Sequence, residues 1–116
     1  MGRWWWSGLG LAMGLALGAG AGPSAVAQTP TEVSLTIESD RFVPEVLRVK
    51  AGAPFVLVIT NHDTVRHELD VPQLRIEQRV RSGETVRLRM PTLKPGTYEL
   101  VDDDSMPELK GKLVAE

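Results

Sequence analysis

Short stretches in which apolar and polar residues alternate, each closed by a turn, run through most of this 116-residue chain. Residues 33–37 alternate in this way, and the same period of two recurs over 86–90 and 98–102. That period gives a β-strand one buried face and one solvated face. Residues 55–60 are apolar at nearly every position, which is typical of a central strand. The pattern predicts an all-β, Greek-key β-sandwich of about seven short strands, with at most one helical turn within 72–80.

The N-terminus has the pattern of a secretory signal peptide. Arg3 precedes an apolar run over 7–22, and Ala25-Val26-Ala27 forms a small-residue cleavage site. The run is shorter than the roughly 20 residues that span a bilayer, so we expect cleavage and no retained membrane anchor. The predicted organisation is a signal peptide at 1–27 and one domain at 28–116, exported to the periplasm.

Charge and cysteine content exclude several classes of function. The chain has 13 Lys and Arg residues against 15 Asp and Glu residues, a net charge of −2. This balance argues against nucleic acid or an anionic membrane as a partner. Because the chain has no cysteine, its stability must come from the core or from a bound ion rather than from disulfides. The residues form no serine–histidine or cysteine–histidine pattern typical of a nucleophilic enzyme.

Strand parity directs one histidine and one carboxylate into the interior. Residues two apart on a strand share a face, so Asp102 lies on the core side with Leu100. With extended structure resuming at Val65, His67 shares its inward face with Val65 and Leu69. Buried ionisable groups are costly unless they are paired or coordinated. His67 and Asp102 are therefore expected either to hydrogen-bond each other or to hold something between them.

The motifs around these residues resemble those of the cupredoxin superfamily. Residues 42–52, F-V-P-E-V-L-R-V-K-A-G, match an early family motif. Residues 60–69 resemble the loop that leads to the first histidine ligand, and 96–106 with 111–114 resemble the segment that carries the remaining ligands. The resemblance implies a cupredoxin-like sandwich.

In that alignment the ligands of a blue-copper site are mostly replaced. His67 stands at the first histidine position, Asp102 at the cysteine position and Ser105 at the second histidine position. Blue-copper chemistry depends on a copper–thiolate bond supported by two imidazoles. The protein is therefore not expected to be a type 1 copper electron carrier.

A closer resemblance is to the Cys-less, Efe-type cupredoxin-like domains associated with bacterial ferrous-iron uptake. The matching runs are Glu68-Leu69-Asp70-Val71, Leu74, Glu77-Gln78 and 100–105. The resemblance implies a periplasmic accessory to iron or copper uptake. Its partner would be a periplasmic metal-uptake protein or an inner-membrane permease, and ferroxidase-like oxidation is left open.

The expected metal ligands are His67, Asp102, Glu68, Asp103 and Met106. Met106 contributes a soft ligand if its loop folds over the site. One imidazole with carboxylates suits Zn, Fe or Cu(II) better than Cu(I), and the residues do not choose among the three. The outward parity of Glu68 and Asp70 favours surface roles for both.

The alternative is a pair without a metal. His67 and Asp102 then form a buried hydrogen bond in a site that has lost its ion. The protein would in that case be a cupredoxin-fold interaction module that acts through its surface.

Overall fold

The structure, a computed structural model, describes residues 30–116, and the predicted signal peptide at 1–27 lies outside them. Over these residues the chain is all-β, as expected, and a short 3-10 turn at Pro72–Leu74 interrupts it. The strands within 30–116 are β1 (Thr31–Ile37), β2 (Phe42–Val43), β3 (Val46–Val49), β4 (Phe55–Asn61), β5 (His67–Val71), β6 (Ile76–Val80), β7 (Thr85–Met90), β8 (Gly96–Asp102) and β9 (Leu109–Ala115). Across the same range, no helix has the length and apolar character needed to span a membrane.

The strands form two sheets. One has four strands in the order β2-β1-β4-β7, and the other has five in the order β3-β9-β8-β5-β6. β1 runs parallel to β4 and β3 runs parallel to β9, whereas the other neighbours are antiparallel. The crossovers between non-consecutive strands confirm the expected sandwich.

The core lies between the two sheets and is built from alternate strand positions. Burying these apolar side chains is the main stabilising contribution to a domain of this size. Its fully buried members include Leu35, Ile37, Leu57, Ile59, Leu69, Val71, Val80, Leu100 and Leu113.

Two strands were not anticipated from the sequence, so nine strands in the described range replace the expected seven or so. β2 has two residues, too few to show a period. β6 carries Glu77 and Arg79 outward, and the polar Gln78 interrupts its inner face between Ile76 and Val80. The helical turn expected within 72–80 is present, but it covers Pro72–Leu74 and is followed directly by β6.

Gly111 lets β9 approach the segment that joins β2 to β3. A Cβ at this position would lie 2.9 Å from the Glu45 carbonyl oxygen and 3.3 Å from Cδ2 of Phe42. The neighbouring Lys112 N–H donates to that same Glu45 carbonyl at 2.8 Å. Close packing at this point therefore requires a residue without a side chain.

Candidate metal centre

His67 and Asp102 meet inside the sandwich. His67 opens β5 and Asp102 ends β8, so two strands of the five-stranded sheet bring the two side chains together. His67 is 1% exposed and Asp102 is 0% exposed. Nδ1 of His67 lies 2.7 Å from Oδ2 of Asp102. The inward orientation predicted for both residues is confirmed, and they form the direct hydrogen bond that was one of the two expected outcomes.

The second nitrogen of His67 is also occupied. Nε2 lies 2.8 Å from Oδ2 of Asp63, in the loop before β5. An ionised carboxylate oxygen can only accept, so the imidazolium form, in which both ring nitrogens donate, satisfies both contacts. Burial alone would lower the pKa of His67, but the hydrogen bonds and charges of Asp102 and Asp63 outweigh burial and raise it. Both nitrogens are engaged by carboxylates, and one His67 ring nitrogen lies within 4.8 Å of carboxylate oxygens of Asp40 and Asp63.

Asp63 is fixed from the opposite side by a turn that follows β1. Its carboxylate accepts the backbone N–H groups of Ser39 at 2.7 Å and Asp40 at 3.1 Å. Ser39 and Asp40 have φ angles of 53° and 56°, in the left-handed region, which points both N–H groups at the carboxylate. Burial acts to raise the pKa of Asp63, but the hydrogen bond from His67 and the two N–H groups lower it overall.

Asn61 gives the loop between β4 and β5 its shape. The side chain is fully buried, and its Nδ2 donates to the carbonyls of Val65 at 2.8 Å and Val80 at 3.0 Å. Its Oδ1 accepts the N–H of Asp63 at 2.9 Å. These bonds hold the loop through Val65, which is 53% exposed, so β5 begins at His67 and not at Val65 as expected.

Both oxygens of Asp102 also accept hydrogen bonds from protein groups. Oδ2 accepts from the Ser105 hydroxyl at 2.9 Å and from the Glu68 N–H at 3.3 Å, in addition to His67. Oδ1 accepts the Asp104 N–H at 3.1 Å. Ser105 Oγ also lies 3.1 Å from Nδ1 of His67, so the residue at the second histidine position belongs to the same network.

The inner position, formed by His67, Asp102 and Ser105, does not fit a type 1 copper ion. A carboxylate stands in place of the thiolate, and the imidazole is hydrogen-bonded on both sides. Met106 is 95% exposed, so it does not fold over His67, and that expectation is corrected. The inner position is an ion-pair network made of protein groups.

A second cluster lies on the outer face of the same sheet. Glu68 and Asp70 alternate with the buried residues of β5, and Asp103 follows the end of β8. One carboxylate oxygen from each of these three residues lies within 4.8 Å of the other two. Asp70 faces Glu77 directly across the β5–β6 pair, which places like charges opposite each other.

The outer cluster is electrostatically strained. Oδ1 of Asp70 is buried and has no hydrogen-bond partner among the residues that the structure describes. Burial and then the charges of Asp103 and Glu77 raise the pKa of Asp70 to about 6. Burial, followed by the neighbouring Asp104 and Asp70 carboxyls, raises the pKa of Glu68 to about 7. Each of these carboxylates is therefore harder to ionise than usual.

A cation would relieve this strain. Two oxygens on opposite sides of a bound divalent ion are separated by twice a metal–oxygen bond, about 4–5 Å. The oxygens of Glu68, Asp70 and Asp103 meet that requirement with small adjustments. Parity placed Asp70 on the surface, whereas the structure makes it half-buried and central to the cluster.

The expected ligands thus divide into three groups. Glu68 and Asp103 lie in the outer cluster, His67 and Asp102 lie in the inner network, and Met106 lies in solvent.

Comparison with solved structures supports the fold. The metal-binding domain of the Cu(I)-exporting P-type ATPase CopA of Streptococcus pneumoniae D39 is 15% identical, with a TM-score of 0.62 over 73% of this chain and 84% of that one. Auracyanin A, a blue copper protein from Chloroflexus aurantiacus, is 17% identical, with a TM-score of 0.61 over 76% of this chain and 100% of that one. At these identities the likeness shows a shared fold.

Comparison of sequences gives the family. An uncharacterised protein of Rickettsia prowazekii is 30% identical over 83 residues, which are 72% of this chain and 66% of that protein's length. The profile of the cupredoxin-like domain matches residues 10–115. With that match, the fold and the motifs agree, and the chain belongs to the cupredoxin-like domain family.

Proposed function

We propose that this protein is a periplasmic metal-binding protein that captures a divalent cation on Glu68, Asp70 and Asp103, as an accessory to iron or copper uptake. The observation that carries the proposal is the convergence of three carboxylates around a buried, unpartnered oxygen of Asp70. Like charges gathered in this way oppose folding, and a bound cation would turn the repulsion into attraction.

The donor atoms indicate the kind of ion. Carboxylate oxygens suit hard cations, whereas Cu(I) is selected by soft thiolates and thioethers. The copper-binding proteins among the structural neighbours support a role in metal handling in general. Fe(II) therefore matches the donors of the outer cluster better than Cu(I) does. A periplasmic metal-uptake protein or an inner-membrane permease would receive the ion.

Thermal unfolding of the purified protein with added ions tests the proposal. The ions are Fe(II) under anaerobic conditions, Mn(II), Zn(II) and Cu(II). An ion at about 100 times its dissociation constant stabilises the native state by roughly 2.7 kcal/mol, which raises the midpoint of so small a domain by several degrees. Asp70→Asn and Asp103→Asn should remove the shift, because each deletes a negative ligand.

His62→Ala serves as the matched control, since His62 is exposed and lies in neither cluster. Its midpoint should respond to the ion like that of the wild type. A wild-type midpoint that does not move with any ion would refute metal binding. A shift retained in Asp70→Asn and lost in His67→Ala would move the site to the inner position.

A second candidate is the interaction module without a metal. The saturation of both His67 nitrogens by carboxylates favours it, because the family's inner metal position is then closed by the protein itself. Under this function no ion changes the midpoint, and co-purification with a protein partner would survive treatment with a chelator.

A further inference from the structure

The Asp102 side chain hydrogen-bonds to the backbone of both segments that supply the outer cluster. Its carboxylate is wholly buried, yet one oxygen accepts the N–H of Glu68 at 3.3 Å and the other accepts the N–H of Asp104 at 3.1 Å. Glu68 is itself a member of the outer cluster, and Asp104 directly follows the member Asp103. One inner side chain is thus bonded to both segments that supply the outer carboxylates.

Those segments share little regular backbone pairing. Within the described chain, β5 and β8 share a single register pair, Asp70 with Val101. By comparison, β5 pairs with β6 at five positions and β8 pairs with β9 at seven. Beyond Asp70 and Val101, the Asp102 carboxylate bridges the two strands where backbone pairing is missing. The Asp102 carboxylate therefore adds a side-chain bridge between the segments that carry Glu68 and Asp103.

Asp102 is in turn held by the inner network. His67 at 2.7 Å and the Ser105 hydroxyl at 2.9 Å fix its orientation, and Asp63 fixes His67. Groups that orient metal ligands through hydrogen bonds change metal affinity although they never touch the ion. The inner network has the form of such a support, with its ends on the backbone of the outer cluster.

We infer that Asp102, oriented by His67 and Ser105, is a positioning residue for a cation site formed by Glu68, Asp70 and Asp103. The inference rests on the proposed function of the outer cluster. It gives the inner pair a role other than binding the ion. The residue at the family's cysteine position sets the spacing of ligands on the opposite face of the same sheet.

Titration of the full protein with Mn(II) tests this role. Binding is measured by calorimetry and by the EPR signal of the free ion. Asp102→Asn preserves size but replaces an acceptor oxygen with a donor, so the bonds to Glu68 and Asp104 cannot both remain. Its affinity should fall by about 10–100-fold, the effect typical of lost ligand support. Ser105→Ala, which removes one bond to Asp102, should produce a smaller fall in a well-folded protein.

Leu57→Ala is the matched control for lost stability. Leu57 is equally buried but lies in β4 of the other sheet, and its side chain makes no hydrogen bond to the inner network. The variant should lower the unfolding midpoint and leave Mn(II) affinity near the wild-type value. Exchange of the Glu68 and Asp104 amide hydrogens should accelerate in Asp102→Asn more than in Leu57→Ala.

The outcomes separate the two claims. If the wild type binds Mn(II) and both Asp102→Asn and Ser105→Ala bind equally well, the positioning role is wrong and the proposed function stands. Equal losses of affinity in Leu57→Ala and Asp102→Asn would also overturn it, because general loosening would then explain both. If the wild type binds no cation, the proposed function and the positioning role fall together.

Discussion

Nδ1 of His67 and Oδ2 of Asp102 are 2.7 Å apart in the interior, where a blue-copper protein would place a metal ion between imidazole and thiolate. The same imidazole reaches Asp63 on its other side at 2.8 Å. The three side chains link the turn after β1, the loop before β5 and the end of β8. An internal ion pair therefore joins segments from both sheets without a metal.

His67→Ala is expected to lower the free energy of unfolding by about 3–5 kcal/mol, because the buried Asp102 carboxylate loses its compensating charge. Urea denaturation followed by circular dichroism measures this. The three tryptophans lie within the predicted signal peptide, so their fluorescence would not report on the domain. His62→Ala should lie within about 0.5 kcal/mol of the wild type. Equal stability of His67→Ala and wild type would contradict an internal ion pair.

Stability should depend on pH in a direction set by two effects. The folded-state pKa values of Glu68 and Asp70, about 7 and about 6, exceed the ordinary values of 4.5 and 3.8, so ionisation of both groups opposes folding. The raised pKa of His67 acts the same way, since the stability from its imidazolium is complete below 6.5 and is lost as pH rises through the folded pKa. Without added metal, the free energy of unfolding should fall from about pH 5 to about pH 8.

At lower pH the trend should reverse. The pKa of Asp63 is lowered, so its contribution is present above 3.8 and is lost as pH falls through the folded value. Urea midpoints measured across the range should therefore pass through a maximum near pH 4–5, roughly where these opposing effects cross. Midpoints that climb steadily from pH 5 to pH 8 would be inconsistent with the strained outer cluster.

Glu77→Lys should stabilise the protein without added metal. The change converts the cross-strand pair with Asp70 from like to opposite charge, an effect of about 0.2–1 kcal/mol per pair. It should also lower the pKa of Asp70, which two-dimensional NMR of the carboxyl carbon can follow. Glu108→Lys makes the same charge change in an exposed loop and is the control. Equal gains in the two variants would point to net charge and not to the Asp70 pair.

Gly111→Ala should destabilise the fold because of the added Cβ, since the φ angle at Gly111 is one that alanine can adopt. Its Cβ would meet the Glu45 carbonyl oxygen at 2.9 Å, so β9 or the segment before β3 must move. Forced overpacking of this kind costs about 1–3 kcal/mol. Lys110→Ala, on the exposed side of the same strand, provides the comparison in urea denaturation. A Gly111→Ala midpoint equal to that of Lys110→Ala would show that the segment around Glu45 moves aside without a cost in stability.

Much of the fold could be predicted because alternation survives wherever one strand face is buried. Residues 33–37, 86–90 and 98–102 lie within β1, β7 and β8 as expected. β6 could not be recognised, because an inward Gln78 breaks the apolar pattern. The start of β5 depends on the Asn61 side chain, which bonds to Val65 and Val80, and such a loop leaves no periodic signal.

Strand parity predicted the inward orientation of His67 and Asp102, but it did not predict the outer cluster. Parity places His67 and Asp102 inward, and the structure agrees. Parity also places Glu68 and Asp70 outward, but it says nothing of how deeply an outward side chain is covered. Only the hairpin from β5 to β6 brings Glu77 opposite Asp70, and that pairing requires the unrecognised strand. Asp63 was not predicted, because it lies in a loop, where strand parity gives no information about the direction of a side chain.

The parallel pairing of β3 with β9 has a consequence for the order of folding. Val46 is registered with Lys112 and Val49 with Ala115, so the first strand of the larger sheet is paired with the last strand of the chain. Contacts between such distant positions form slowly, because a long loop must close before they contribute. β3 therefore remains without its neighbour until Leu109–Ala115 is available. A chain of this topology therefore stays incompletely folded until β9 arrives, whatever the state of the other strands.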